Sequence, residues 1–392
     1  MIYWLENFLG NKNKEKVMVA SFTRDSYFLI LIVLILTLFS LLMVDSASSL
    51  NSFLASYVFK KQLIYIGVSW IIVWIVSKID YIKYEKFTYY LLLITFLILI
   101  FVAVSGSSVK GASRWINLGF FRVQPSEFAK IVIIFYLAHS LSKKDISLIK
   151  QFSFGVLPHL LVILIVLVPI FLQPDFGTSA VIMALLVAMM IVAGVKWIHI
   201  SILFSAALGF GYMLMILAPY RMARINAFLD PKLYRRTTGY QLYQSVIAFS
   251  SGRMTGVGLG NSIQKRYYLP EAHTDFIASI IGEELGFVGI VSLIVLYIFL
   301  IFISMKIALK ARTLFGSYTA LGISILFSIQ ILLNLGVVVG AFPTKGLTLP
   351  FMSFGGSSMV ASMIMVGILL NISRNSLSDG ERPSVNYKAI MQ

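Results

Sequence analysis

Tyr27-Phe-Leu-Ile-Leu-Ile-Val-Leu-Ile-Leu-Thr-Leu-Phe-Ser-Leu-Leu-Met-Val44 contains no charged side chain and only two hydroxyls beyond its terminal tyrosine. In water, no single neighbour could cover so much apolar surface. In a hydrocarbon core about 30 Å thick, a helix of about 20 such residues satisfies every backbone group internally. The run, roughly 27 to 46, is too long for the apolar part of a cleaved leader, and further runs follow it. It therefore reads as a retained anchor rather than a leader cut near Ala47 to Ser49.

Comparable runs recur at roughly 63 to 79, 87 to 104, 127 to 142, 154 to 172, 178 to 195, 198 to 218, 276 to 304, 316 to 340 and 350 to 373. The fold class expected is an all-α polytopic membrane protein of about ten transmembrane helices. The shortest run, 127 to 142, needs its flanks to span. Composition agrees: 59% of the 392 residues are hydrophobic and 12% charged, with a mean hydropathy of +0.90. Soluble domains carry about twice that charged share, so soluble and disordered classes are excluded. With no cysteine there is no disulfide framework, thiolate nucleophile or cysteine-rich metal site.

The net charge of +16 would point to nucleic acid in a soluble protein, but here it reports orientation first. Placing the N-terminus in the cytoplasm puts 17 Lys and Arg on that side and six in the opposite short loops. Both termini are then cytoplasmic, with tails at 1–26 and 375–392, a transmembrane domain at 27–374, and a long extracytoplasmic loop, 219–275, between the seventh and eighth helices. Nucleic acid is not an expected partner. Within the loop, Leu242, Tyr243, Val246, Ile247 and Phe249 recur at near-helical spacing. They predict an amphipathic helix, either on the membrane face with Arg235 and Arg236 toward headgroups or capping the bundle. Gly256, Gly258 and Gly260 read as a flexible turn; no strand precedes them, so they are not a dinucleotide fingerprint.

Three polar clusters stand beside apolar runs. Glu127 and Lys130, at i and i+3 on the fourth run, share a helix face. They either neutralise one another in a polar cavity or mark an interface, as a helix-start acid and a snorkelling lysine. Leu269-Pro-Glu-Ala-His-Thr-Asp-Phe276 precedes the eighth run, which itself holds Glu283 and Glu284. A carboxylate at Asp275, near water yet beside lipid, suits a general base; the plainer reading is a helix cap. At least one of Glu283 and Glu284 is expected to bond another helix. His273 and Asp275 are possible metal ligands without an evident third, so no dedicated metal site is expected. The third cluster, Pro343-Thr-Lys-Gly-Leu-Thr-Leu-Pro-Phe-Met-Ser-Phe-Gly-Gly-Ser-Ser358, breaks the helix beside Lys345 and several hydroxyls, Ser357 among them. Such a break either cradles an anionic headgroup or packs helices through small residues.

These clusters, together with Lys110-Gly-Ala-Ser-Arg-Trp-Ile116 and Gln124-Pro-Ser-Glu-Phe-Ala-Lys130, resemble the SEDS family of bacterial shape, elongation, division and sporulation proteins from the first span to the last. Gly258-Leu-Gly-Asn-Ser-Ile-Gln-Lys265 and Tyr268-Leu-Pro-Glu-Ala-His-Thr-Asp275 resemble its division branch more than its elongation branch. Phe354 stands where tyrosine is common. The resemblance implies a ten-helix peptidoglycan glycosyltransferase in the cytoplasmic membrane that polymerises lipid II on the extracytoplasmic side. Its implied partners are a class B penicillin-binding transpeptidase and other divisome membrane proteins. Asp275 falls on the family's essential aspartate, and Glu127 and Lys130 fall on its intramembrane ion pair. In that setting Asp275 acts as base. Arg114, Lys345, Ser357, Arg221, Arg224 and His273 are candidates to hold the substrate and its diphosphate, alone or with a divalent cation such as Mg or Mn. The rival reading from another class is a transporter that flips lipid II; a scaffold is a third.

Overall fold

The computed structural model describes residues 23–48, 52–109, 112–117, 119, 121–216, 219–344 and 346–376; Lys110 and Lys345 lie outside them, as do most of both tails. Each of the ten apolar runs forms a helix. α1 spans Arg24–Ser48, α2 Ser52–Lys78, α3 Tyr81–Ser105 and α4 Pro125–Ser142. A short α5 (Ile146–Ile149) and one π-helical turn (Phe152–Val156) lead into α6 (Leu157–Leu172), α7 (Phe176–Val192) and α8 (Trp197–Ile216). After α9 (Pro219–Leu229), α10 (Tyr240–Gly252) and α11 (Gln264–Tyr267) come α12 (Ile277–Leu309), α13 (Leu314–Val338) and α14 (Gly356–Arg374). Seven of these, α1, α2, α3, α6 with its π turn, α12, α13 and α14, are long and apolar enough to cross a membrane; α7 and α8 are shorter apolar helices. The chain is a multi-pass membrane protein. Between α3 and α4 lies a small antiparallel sheet, β1 (Ser107–Val109), β2 (Ala112–Asn117) and β3 (Arg122–Val123), which the apolar pattern does not announce.

Three helices, α3, α7 and α13, begin where a short polar side chain takes a free amide. Asp80 accepts from Ile82 N at 3.0 Å, Thr313 from Gly316 N at 3.0 Å, and Asp175 from Thr178 N at 3.2 Å. One end of the bundle is closed by polar contacts: Asp25 accepts from Lys306 at 2.7 Å, Ser26 donates to Ser373 at 3.0 Å, and the Tyr81 amide donates to Asn371 at 2.9 Å. The segment between α8 and α12 covers part of the opposite end.

That segment carries three helices, α9, α10 and α11, rather than one. The predicted amphipathic helix is α10, and it caps the bundle. Leu242, Ser245 and Ala248 are buried on one face, and the Ser245 hydroxyl donates to Val338 O at 2.6 Å while meeting the Ser279 hydroxyl at 2.8 Å. The backbones of α10 and α12 approach closely at Gly252, where an added Cβ would stand 1.9 Å from Gly282 O. We expect Gly252→Ala to destabilise the protein by about 1–3 kcal/mol through overpacking, read as a lower melting temperature of the solubilised protein. An unchanged melt would mean that α10 is not seated there.

The predicted flexible turn at Gly256, Gly258 and Gly260 is corrected by the same junction. All three have φ between 81° and 96°, but hydrogen bonds pin the segment. α12 breaks at Gly286 (φ 67°, ψ −161°), so Phe287 N and Val288 N no longer reach the carbonyls four residues back. They donate instead to Arg253 O at 2.9 Å and Met254 O at 3.1 Å. The vacated carbonyls of Glu283 and Glu284 are taken by Val257 N and Gly258 N, each at 3.0 Å. The segment thus stitches the broken helix together, and at Gly256 only glycine fits, since a Cβ would lie 2.0 Å from Glu284 O.

Candidate functional site

Asp275 lies two residues before α12, and its backbone is fixed by another helix. Asn334 Nδ2 on α13 donates to Asp275 O at 2.9 Å and to Leu347 O at 2.7 Å, so one amide staples the approach to α12 onto the segment between α13 and α14. Two further bonds join the second and third polar clusters: Phe354 N donates to His273 O at 2.9 Å, and the Ser353 hydroxyl donates to Thr274 O at 2.6 Å. The His273 and Phe354 rings meet edge to face at 5.5 Å. The Asp275 side chain is half-buried, and Gly346 lies against it; a Cβ there would stand 3.2 Å from Oδ2. Phe276 holds the N-cap position of α12, with no side-chain cap hydrogen bond.

The segment 346–355 is non-helical, yet Leu347, Leu349, Phe351 and Met352 are buried. Irregular backbone at membrane depth survives only where protein or a cavity supplies its hydrogen bonds. Here Tyr297 donates to Pro350 O at 2.7 Å and Ser40 to Met352 O at 2.9 Å. The helix break read from the sequence is therefore a buried turn held by α1, α12 and α13.

Glu127 and Lys130 form an ion pair of 2.8 Å in the first turns of α4, with Lys130 only 1% and Glu127 9% exposed. A lysine buried that deeply does not snorkel, which sets aside the interfacial reading. Next to the pair is a carboxylate that sequence reasoning missed. Asp175 is buried and accepts from Gln124 Nε2 at 3.1 Å, Ser126 Oγ at 3.3 Å and Thr178 Oγ1 at 2.9 Å. It caps α7 and ties that helix to the start of α4. An acid following Pro174 between two apolar runs was the available signal.

Other candidates are committed to the scaffold. Arg114 donates through Nε to Gln173 O at 2.9 Å and through Nη2 to Pro174 O, holding β2 on the turn that carries Asp175. The Ser357 hydroxyl donates to Arg122 O at 2.9 Å and accepts from Gln124 N at 3.0 Å, joining α14 to the approach to α4. Arg224 is exposed on α9, which packs on α8; the Arg221 side chain and Lys345 lie outside what is described. A second buried ion pair, Lys265 to Glu284 at 2.7 Å, was also missed as a pair. Glu284 reaches Ser46 on α1 at 2.7 Å, meeting the expectation that one of these acids bonds another helix. Among the described residues, no three side chains of His, Asp or Glu gather as a metal site.

Buried charges in the bundle, a broken helix and a carboxylate against a buried non-helical turn define a polytopic membrane protein with a polar site built into its apolar frame. The chain matches, over residues 26–378, the family of FtsW, RodA and SpoVE, described as cell cycle proteins, and it belongs to that family. A relative from Trichlorobacter lovleyi named probable peptidoglycan glycosyltransferase FtsW is 44% identical, covering 88% of this chain and 92% of its own. A solved structure titled as the structural coordination of polymerization and crosslinking by a peptidoglycan synthase complex matches with a TM-score of 0.77 at 27% identity, covering 92% of this chain and 99% of that one. The rod shape determining protein RodA of Thermus thermophilus matches with a TM-score of 0.68 at 25% identity over the same shares.

Proposed function

We infer that this chain is a peptidoglycan glycosyltransferase that joins lipid II units into glycan strands for the septal wall of a dividing cell. The observation that carries the reading is the Asp275 carboxylate, half-buried at the start of α12 and lodged against Gly346, in a chain of this family. The 4-hydroxyl of one lipid-linked disaccharide attacks the anomeric carbon of another. Asp275 accepts the hydroxyl proton, the new C–O bond forms as the bond to the diphosphate breaks, and undecaprenyl diphosphate leaves with inversion. A base so placed typically contributes about 10² to 10⁴ in rate.

The leaving diphosphate needs cations. Lys345 directly precedes the glycine at the carboxylate, which favours it as the first of these, with His273, two residues before Asp275, and Arg221 and Arg224 on α9 as the others. Arg114 and Ser357 act one step back, Arg114 by holding β2 on the turn before α7 and Ser357 by holding α14 to the approach to α4. Glu127 and Lys130 neutralise one another within the frame. The energy is that of the sugar–diphosphate bond, in keeping with a sequence that carries no nucleotide-binding loop.

The basic residues of the short loops support cytoplasmic termini and an extracytoplasmic Asp275. A class B penicillin-binding transpeptidase is the proposed partner, supported by the likeness to a chain from a synthase complex that polymerises and crosslinks. The test is reconstitution of the full chain with lipid II, with and without that transpeptidase. Glycan strands are expected. Headgroup translocation without strands would turn the reading to transport, and neither product would leave a scaffold.

A further inference from the structure

Lys265 and Glu284, which the proposed chemistry does not use, are 3% and 0% exposed. Glu284 Oε1 accepts from Lys265 Nζ at 2.7 Å, from Ser46 Oγ of α1 at 2.7 Å and from Ser262 N at 3.4 Å, while Lys265 Nζ also donates to Ser46 Oγ at 2.9 Å. The neighbouring carboxylate, Glu283, accepts from Ser262 Oγ and from Ile263 N at 2.9 Å, gathering the amides at the start of α11. The two ends of the stretch 265–284 are thereby joined, with Asp275 midway between them. From Ile277 to Leu285 that stretch is the first segment of α12, and at the break at Gly286 its link to the rest of the helix runs through the 253–258 segment. Asp275 stands at one end of this short rod and Glu284 at the other.

We propose that the Lys265–Glu284–Ser46 clamp is a positioning device for Asp275: by holding the far end of the α12 segment to α1 and α11, it sets where the carboxylate stands against Gly346. The proposal rests on the reading of Asp275 as the base. Backbone bonds from Val257 and Gly258 hold the broken end of the rod to the 253–258 segment, and the clamp adds the hold on α1 and α11. Here the hold is two opposite charges and a hydroxyl in a dry site, where such contacts are stiff. A displacement of about 1 Å at a catalytic group can cost about 10²-fold in rate, so the clamp bears on turnover more than on binding. Removing one charge alone would leave the other buried without its counter-ion and unfold the region for a trivial reason.

The informative variant therefore removes both charges, Lys265→Met with Glu284→Gln, in the full chain with its transpeptidase. It is expected to melt close to the parental protein, with kcat lowered by about tenfold and KM within about twofold. A second readout does not depend on activity. The chain has no cysteine, so Asp275→Cys with Gly346→Cys makes a single thiol pair. Its oxidative crosslinking should slow when the clamp is neutralised. Parental turnover in the neutralised variant, or slower turnover with unchanged crosslinking, would overturn the proposal. Should the neutralised variant not fold, Ser46→Ala replaces it: a smaller loss of kcat with slower crosslinking supports the clamp, and parental values for both overturn it. Parental polymerisation by Asp275→Asn would instead sink the base assignment, while the thiol pair still reports whether the clamp fixes position 275.

Discussion

Asp275→Asn is expected to lower lipid II polymerisation by about 10² to 10⁴ while leaving the melting temperature of the protein unchanged. The substitution is nearly isosteric, and what fixes this part of the chain is backbone: Asn334 holds Asp275 O, Ser353 holds Thr274 O and Phe354 holds His273 O. None of these bonds involves the carboxylate, so they survive its replacement. The amide of asparagine cannot take a proton from a sugar hydroxyl at neutral pH, so the chemical step loses its base. The measurement is strand formation from purified lipid II by the reconstituted protein with its transpeptidase. Polymerisation at the parental rate by a folded Asp275→Asn protein would remove the base from the mechanism.

How much of this was legible beforehand divides along sequence separation. Each of the ten apolar runs announces a helix, because in lipid the backbone must satisfy itself within the segment, so those ten were readable. The Glu127–Lys130 pair was readable for the same reason, being three residues apart on one helix. Contacts between distant residues left no period to read. Ser46 and Glu284 are 238 positions apart and Arg114 and Gln173 are 59 apart, so the sequence showed the donors without their acceptors. This is why Arg114 and Ser357 looked available for a diphosphate, and why Asp175 drew no notice. The glycines at 256, 258 and 260 misled in another way: they read as a flexible turn, whereas all three take positive φ in a turn that fills the gap in a broken helix.

Removing one partner of the buried pair on α4 should have the largest effect on stability. With Lys130→Met, the Glu127 carboxylate keeps its place at 9% exposure and loses the ammonium 2.8 Å away. Uncompensated buried charges of this kind cost about 3–5 kcal/mol, and a carboxylate escapes that cost only by taking up a proton or by dragging α4 toward water. Glu127→Gln should cost a similar amount, since Lys130, at 1% exposure, is even more enclosed. Together, Glu127→Gln with Lys130→Met removes both charges at nearly constant volume, and most of the lost stability should return, because a desolvated pair and an apolar pair of the same shape often differ little. Thermal melts of the three variants check this directly, and singles as stable as the parent would mean that the pair is wet. Activity then separates two roles for the same residues. If the double variant melts normally and polymerises normally, the pair serves the fold. If it melts normally and polymerises slowly, the charges themselves act on the substrate, through the neighbouring Ser126 and Asp175 that link α4 to α7.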